Sequence, residues 1–506
     1  VFGNEVVDQK VYVLASDGDV MEGISQEAIA LAGHLKLNRL IVLFDDNGIS
    51  IDGALSLADS VDQVKRFEAA GWAASRVDGH DPAAIAAALE KAQGSDRPVL
   101  IACKTTIGYG APTKAGKASS HGSPLGADEI KGAREKLGWS HAPFDIPADI
   151  LLAWRKAGER SKSAHADWNK RLAALDPAQR AEFERRMRGD LPTRALADAV
   201  AETKRTLAAS PKEIATRSAS EFALWNLIPV VPEMIGGAAD LTGSINTKPN
   251  NMAVYSTEDR AGRFIHYGVR EHAMAAAMNG MTLHGGIIPY SGTFLVFSDY
   301  CRPSIRLAAM MDSRAVFVLT HDSIGLGEDG PTHQPIEQIA ALRAMPNLVV
   351  FRPCDAVETI ECWQLALELR DRPSVIALTR QNVPQLRLTF EETNLCANGA
   401  YEFLPAQNGR AQVSFFATGS ELAVAVEARK LLEVKNVPSR VVSVPSFELF
   451  RTLPKAARQE IIGSTPVRVG IEAAVRQGWD EIIGTDGIFI GMTTYGGSAP
   501  YKHLFA

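Results

Sequence analysis

The chain has 506 residues, which at about 150 residues per domain corresponds to about three domains. Hydrophobic residues make up 46% and charged residues 22%, as in water-soluble globular proteins, which excludes a disordered or collagen-like chain. The net charge of -6 gives no overall basic field, so we expect binding neither to nucleic acid nor to a membrane surface.

The five cysteines are widely spaced and form no Cys-x-x-Cys pair, which argues against a disulfide framework or a zinc site. Such thiols are typical of a reducing compartment, so we predict a cytoplasmic protein. No apolar run approaches the roughly 20 residues of a membrane span, and no signal peptide is recognisable. The sequence starts with Val1 close to a predicted strand, so we expect further residues ahead of it.

Short β-branched runs alternate with helical stretches, a pattern that predicts parallel sheets covered by helices on both faces. The first alternation covers residues 1–150, with strands at 11–15, 40–44 and 98–102 and helices at 25–37 and 81–92. Residues 151–210 have mixed charge and no strand-like run, which predicts a helical linker.

Two further alternations cover residues 211–395 and 396–506. Their predicted strands lie at residues 264–267, 315–320, 348–351, 374–379, 412–417, 439–444 and 467–471. We therefore predict an α/β fold of three consecutive doubly wound domains, the last being the smallest.

Two loops at strand ends carry oxygen donors. Asp17 and Gly18 follow the first strand, and Asn47 and Ile49 follow the second. Ligands gather beyond the carboxyl ends of parallel strands, and a carboxylate, an amide and a backbone carbonyl suit Mg²⁺ bound to a diphosphate. The same residue types also suit ordinary turns, so both interpretations stay open.

Two segments of the middle domain have both a structural and a functional interpretation. Glu271 follows a strand and opens a predicted helix, where it either interacts with the helix dipole or, if buried, shares a proton with a ligand nitrogen. Phe294, Phe297 and Tyr300, at i, i+3 and i+6, are predicted to share one helical face. They either pack in the core or stack on a flat heterocycle.

The loop that runs from His321 to His333 contains a Gly-x-Gly-x-x-Gly pattern. A dinucleotide site of a dehydrogenase is disfavoured because Glu328 and Asp329 would place carboxylates at the pyrophosphate, and Pro331 follows the last glycine. His321, Asp329 and His333 instead suit hydrogen bonding to a polyhydroxylated substrate. Arg217, Ser244 and Arg380 occupy similar strand-end positions and could bind a sugar phosphate, although each arginine alone equally suits a surface ion pair.

Taken together, these segments resemble transketolase along the whole chain. The resemblance rests on SDGDVMEG from Ser16 with Asn47 downstream, YGVREHAM from Tyr267, THDSIGLGEDGPTHQP from Thr320, SHG from Ser120, ADLTGS from Ala239 and LTRQNVP from Leu378.

The resemblance implies thiamine diphosphate as the cofactor. Asp17, Asn47 and the carbonyl of Ile49 would hold Mg²⁺ or Ca²⁺ against the diphosphate, with Gly18 permitting close approach. The pyrimidine side would be formed by Glu271, which promotes formation of the cofactor ylid, together with Asp240, Phe294, Phe297 and Tyr300. His121 would lie near the diphosphate and the reacting carbons, and it would share catalytic proton transfers with His333. Substrate would be bound by His121, Arg217, Ser244, His321, Asp329, His333 and Arg380.

The implied reaction moves a two-carbon ketol unit from xylulose 5-phosphate to ribose 5-phosphate or erythrose 4-phosphate, in the pentose phosphate pathway. A homodimer is implied, with the diphosphate-side domain of one subunit facing the pyrimidine-side domain of its partner. The alternatives are deoxyxylulose phosphate synthase, dihydroxyacetone synthase and an inactive cofactor-binding scaffold.

The sequence departs from the family pattern in three places. Ser16 replaces the usual first glycine of the diphosphate motif, a change that leaves the metal ligand Asp17 in place. The family's segment ahead of residue 1 is missing, and the stretch after residue 506 looks curtailed. We therefore expect a fragment, or part of a longer chain, whose activity is in doubt.

Overall fold

The computed structural model describes residues 2–3, 5–407 and 409–505, which form two compact units, Val1–Glu182 and Phe183–Ala506. Within these described ranges, every helix is too short or too polar to cross a lipid bilayer. The five cysteines are buried.

The first unit is built on a four-stranded parallel sheet with the order β1-β2-β4-β3. The strands are β1 (Val11–Ser16), β2 (Leu40–Asp46), β3 (Ala73–Asp78) and β4 (Val99–Lys104). The helices are α1 (Asp17–Met21), α2 (Gly23–His34), α3 (Gln63–Ala69), α4 (Pro82–Gln93), α5 (Ala127–Lys136), α6 (Ala148–Glu159), α7 (Ser161–Ala173) and α8 (Pro177–Met187), which crosses into the second unit. Asp81 starts α4 by accepting hydrogen bonds from the N–H groups of Ala83 and Ala84.

The second unit begins with a six-stranded parallel sheet of order β6-β5-β7-β8-β10-β9. Its strands are β5 (Met234–Ala238), β6 (Phe264–His266), β7 (Ile288–Phe294), β8 (Val316–Thr320), β9 (Val349–Phe351) and β10 (Ser374–Leu378). The helices are α9 (Thr193–Ala209), α10 (Thr216–Leu227), α11 (Thr242–Ile245), α12 (Glu271–His284), α13 (Ser298–Met310), α14 (Gln338–Arg343) and α15 (Ala356–Glu368).

The same unit contains a five-stranded sheet of order β11-β13-β12-β14-β15, parallel except for the edge strand β11. Its strands are β11 (Tyr401–Leu404), β12 (Val413–Ala417), β13 (Ser439–Ser443), β14 (Val467–Ile471) and β15 (Ile488–Ile490). The helices are α16 (Glu421–Val434), α17 (Phe447–Thr452), α18 (Lys455–Ile462), α19 (Asp480–Ile483) and α20 (Tyr501–Leu504).

These three sheets confirm the predicted α/β fold class, but several strands were not predicted. The unpredicted strand β5 contains Gly236 and Gly237, which weaken the sequence signal for a strand. A Cβ on Gly237 would lie 2.4 Å from the ring of Tyr267, so packing within the sheet requires this glycine. Because tertiary packing requires glycine here, the local sequence pattern does not reveal the strand.

Candidate active site

In the first unit, Asp17 joins the loops that follow β1 and β2. Its Oδ2 accepts a hydrogen bond of 3.0 Å from the N–H of Gly48, and only 3% of the residue is exposed. Its Oδ1 is buried and has no hydrogen-bond partner among the described residues. Burial raises the pKa of Asp17, although the Gly48 hydrogen bond opposes the rise. An orphaned carboxylate oxygen of this kind is available to a cation.

Two further oxygens belong to the same loop. The Oδ1 of Asn47 accepts a 2.9 Å hydrogen bond from the N–H of Ile49 and keeps a second lone pair. The carbonyl of Ile49 accepts no hydrogen bond within the described ranges. One carboxylate, one amide oxygen and one carbonyl therefore fit a hard divalent cation.

Gly18 lies beside these oxygen donors and leaves space for a ligand. A side chain at that position would meet no protein atom within 4 Å, so the fold itself does not require glycine there. A ligand that approaches the backbone closely at this position would explain why the residue is glycine. Among the described residues, no three His, Cys, Asp or Glu side chains are grouped to hold a metal. The candidate set does not need such a group, because it contains a single carboxylate.

Lys104 also lies at this edge, although it was not among the predicted site residues. Lys104 ends β4, and its Nζ lies 3.4 Å from the Asp46 carboxylate. Its position at the end of the third predicted strand could have identified it. His121 is exposed in the loop after β4, and no described hydrogen bond or ring contact joins it to Asp17 or Asn47.

In the second unit, most of the predicted residues follow parallel strands of one sheet, whereas Arg217 lies in the first turn of α10, where its N–H donates to the carbonyl of Thr379 just after β10. Asp240 follows β5 and is exposed, with a left-handed backbone conformation at φ 60°. Glu271 begins α12, as predicted, and is 8% exposed, so the interpretation as a surface carboxylate is wrong. The hydroxyl of Thr293 donates a 3.4 Å hydrogen bond to its Oε1.

The three aromatic residues do not share one helix, so that prediction is wrong. Phe294 ends β7, Phe297 lies in a short 3₁₀ helix, and Tyr300 lies in α13. The rings nevertheless contact in sequence, with centroid distances of 5.7 Å for Phe294–Phe297 and 5.8 Å for Phe297–Tyr300. Phe294 is buried, whereas Tyr300 is 65% exposed.

His321 is a buried, neutral histidine. It follows β8, is 2% exposed and lies against Phe294, with a centroid distance of 3.7 Å. Burial, reinforced by Arg217, Arg380 and His333, lowers its pKa to about 3. Its Nδ1 is hydrogen-bonded to the Thr320 hydroxyl at 2.8 Å. At neutral pH it can therefore hydrogen-bond a hydroxyl without carrying charge.

The rest of the loop reaches the same aromatic rings. His333 is half-buried, and its ring centroid lies 5.5 Å from that of Phe297. Asp329 is exposed, and no described contact joins it to His321. The glycine pattern overlaps the 3₁₀ helix Ile324–Leu326 and is followed by the short helix α14.

Arg217 and Arg380 lie close enough for mutual repulsion. Burial, and then the charge of Arg380, lowers the pKa of Arg217. Arg217 donates from Nη1 to the backbone carbonyl of Ser244, whereas its buried Nε has no partner in the described part of the chain. Arg380 is exposed and donates a 3.1 Å hydrogen bond to the carbonyl of Leu326. Two neighbouring guanidinium groups with an unused donor suit a phosphate dianion.

A buried charge network beneath His321 was not predicted. Arg352, only 1% exposed, donates a 2.9 Å hydrogen bond from Nε to Asp322, the neighbour of His321. It also pairs with Glu421 and, at 3.4 Å, with Glu472. His321 itself has a left-handed φ of 61°. Arg352 follows the short strand β9 and its acidic partners are distant in sequence, so no local pattern identifies the network.

Three family models match the chain. They are the thiamine diphosphate binding domain of transketolase at residues 2–192, its pyrimidine binding domain at 212–385 and a transketolase-like C-terminal domain at 399–506. The transketolase of Cereibacter sphaeroides is 51% identical over 504 residues, covering 100% of this chain and 76% of the relative.

Solved structures agree with these matches. Transketolase from Leishmania mexicana has a TM-score of 0.92 at 39% identity, covering 99% of this chain and 73% of that one. A transketolase complex with sedoheptulose 7-phosphate from Pichia stipitis has a TM-score of 0.91 at 37% identity, covering 98% and 73%. By sequence, domain content and fold, the chain belongs to the transketolase family.

Proposed function

We propose that the chain transfers a two-carbon ketol group reversibly from xylulose 5-phosphate to ribose 5-phosphate or erythrose 4-phosphate. The observation that carries this proposal is the gathering of Glu271, His321, Phe294 and the Arg217–Arg380 pair along one sheet edge of the second unit. Related structures from Pichia stipitis are complexes with xylulose 5-phosphate and sedoheptulose 7-phosphate, which supports sugar phosphates as substrates.

The proposed cofactor is thiamine diphosphate held by a divalent cation, Mg²⁺ or Ca²⁺. When bound, it supplies the carbon nucleophile of ketol transfer. Asp17, through its orphaned Oδ1, would bind the cation together with Asn47 and the carbonyl of Ile49. Gly18 would let the diphosphate approach the backbone.

On the pyrimidine side, Glu271 would hold a proton between its buried carboxyl and a ring nitrogen. Phe294, Phe297 and Tyr300 would contact the ring, and Asp240 would approach from the end of β5. A buried carboxyl suits this role because few waters compete for its proton.

The substrate would be oriented by hydrogen bonds and by charge. Neutral His321 and exposed Asp329 would bind hydroxyl groups, and His121 and His333 would move protons at the reacting carbons. Arg217 and Arg380, beside Ser244, would bind the terminal phosphate. A cytoplasmic homodimer acting in the pentose phosphate pathway completes the proposal, supported by family membership.

The test is a coupled assay of ketol transfer by the 506-residue chain with thiamine diphosphate and Mg²⁺. We expect conversion of xylulose 5-phosphate and ribose 5-phosphate that depends on both additions. Near-normal turnover would also contradict the expectation that this chain is an impaired fragment. Binding of cofactor and metal without any conversion would instead favour the inactive scaffold.

A further inference from the structure

A second arginine-rich cavity lies at the opposite edge of the six-stranded sheet. We call it the amino-edge cavity, because it lies where β7, β8 and β10 begin, beside the end of α8. Its volume is about 240 Å³ and its lining includes Arg186, Arg188, Gly286, Ser313, Arg314 and Arg370. At about 30 Å³ per water molecule, it has room for a phosphate group and several further atoms.

Arg314 is a buried cation that makes no salt bridge with a described carboxylate. It is 9% exposed, and within the described part of the chain no carboxylate lies within 4.0 Å of its guanidinium. Its side chain donates a hydrogen bond of 2.8 Å from Nη2 to the carbonyl of Gly189. Burial, together with the nearby Arg370, lowers the pKa of Arg314 to about 10, so the group stays charged at neutral pH. Leaving such a charge unpaired is costly unless a ligand completes the site.

The acidic groups around the cavity already have partners. Glu233 accepts hydrogen bonds of 2.7 and 2.9 Å from Arg185. Asp190 is shared between Arg188, at 2.8 Å, and Arg370, at 3.0 Å. Asp312 accepts a 2.8 Å hydrogen bond from Asn347. These pairings leave Arg314 without a salt bridge among the described residues, although the charges of Glu233 and Asp190 lie near enough to oppose the fall in its pKa.

A neutral donor lies next to Arg314. Ser313 is 4% exposed, and its hydroxyl has no hydrogen-bond partner among the described residues. The hydroxyl and guanidinium of adjacent residues thus line one cavity with unused donors. We propose that the amino-edge cavity binds a phosphate group, free or carried by a small phosphomonoester, through Arg314, Ser313 and Arg370. This site is separate from the proposed substrate phosphate site at Arg217 and Arg380, which follows the carboxyl ends of the same strands.

The test is a titration with inorganic phosphate at constant ionic strength, followed by the thermal unfolding midpoint of the full chain. All proteins carry Arg380→Met, which weakens the substrate phosphate site. A ligand that binds only the native state raises the midpoint, and we expect phosphate to do so. Adding Arg314→Met should weaken phosphate binding at least about tenfold, as expected for loss of a charge-assisted hydrogen bond.

Two further variants sharpen the test. Arg194→Met removes an exposed arginine of α9 and should leave the phosphate response unchanged. Ser313→Ala removes a hydroxyl that has no hydrogen-bond partner among the described residues, so it should fold normally and weaken phosphate binding several-fold. It decides the outcome if Arg314→Met fails to fold. An unchanged phosphate response in both cavity variants would overturn the proposal.

Glycerol 3-phosphate, titrated in parallel, distinguishes the two sources of the phosphate group. Tighter binding than inorganic phosphate that is lost with Ser313→Ala or Arg314→Met would assign a phosphomonoester. Equal or weaker binding would assign free phosphate.

Discussion

The two compact units present their candidate site residues in different ways. In the first unit, the cations at the sheet edge are solvated: Lys104 and Arg76, whose side chains are 63% and 53% exposed, both pair with Asp46. In the second unit, the cation beneath His321 is Arg352, whose side chain is 1% exposed and bound to three carboxylates. The first unit therefore depends on a ligand to complete its site, whereas the second fixes its geometry with internal charges.

The largest expected effect is a loss of stability, which distinguishes the buried charges of the second unit from the solvated ion pair of the first. Arg352→Met leaves Asp322, Glu421 and Glu472 without their shared cation, and we expect a loss of about 3–5 kcal/mol in stability. Lys104→Met is the matched control in the first unit and should cost less than about 1 kcal/mol, since the ion pair is solvated. Hydrogen exchange of peptides from each unit would measure both. Equal protection of the second unit in the two variants would contradict the comparison.

A smaller effect is expected where the first unit depends on its ligand. Asp17→Asn removes the single carboxylate of the candidate metal set while keeping its shape. We expect Mg²⁺-dependent binding of thiamine diphosphate to weaken about a hundredfold, measured by calorimetry. Asp19→Asn is the control, because that carboxylate accepts hydrogen bonds from Ser16 instead. Similar losses in both variants would indicate a general defect of the loop.

Removing one arginine of the Arg217–Arg380 pair in the second unit should have a smaller effect. Arg380→Met is expected to raise the KM for ribose 5-phosphate about tenfold or more, because a charge-assisted contact is lost. The KM for an unphosphorylated aldose acceptor should stay unchanged in the same assay. An equal rise for both acceptors would argue against a phosphate contact.

The effect that is smallest at neutral pH concerns His321, because it develops only as the pH falls below about 6.5. The folded state holds the pKa of His321 at about 3, below the model-peptide value of about 6.5. Between these values the unfolded state binds more protons, so this contribution is complete above about pH 6.5 and falls as the pH drops towards 3. His321→Gln should reduce the acid-side slope of the unfolding free energy by up to about 1.4 kcal/mol per pH unit. The exposed His165→Gln should not reproduce this change.

Sequence reasoning reached the residues whose signal is local. Asp17, Asn47, Glu271 and His321 follow strands that apolar runs reveal, so their positions at sheet edges could be predicted. The strand β5 could not, because packing on Tyr267 imposes glycine on it.

Groups that depend on tertiary contacts were not accessible in this way. Arg352 follows β9 but binds Glu421 and Glu472, which belong to elements around another sheet. The burial of Glu271 likewise depends on the packing of α12 against β7 and α13, and a single segment does not encode it.

We propose that the buried Glu271 activates the cofactor. The most direct test is the rate of ketol transfer at saturating thiamine diphosphate and Mg²⁺. We expect Glu271→Ala to lower the rate about a hundredfold to ten-thousandfold, the range typical of a lost acid-base group. Glu202→Ala, on the exposed surface of α9, should leave the rate unchanged. A Glu271→Ala chain that transfers the ketol group at the original rate would contradict the account.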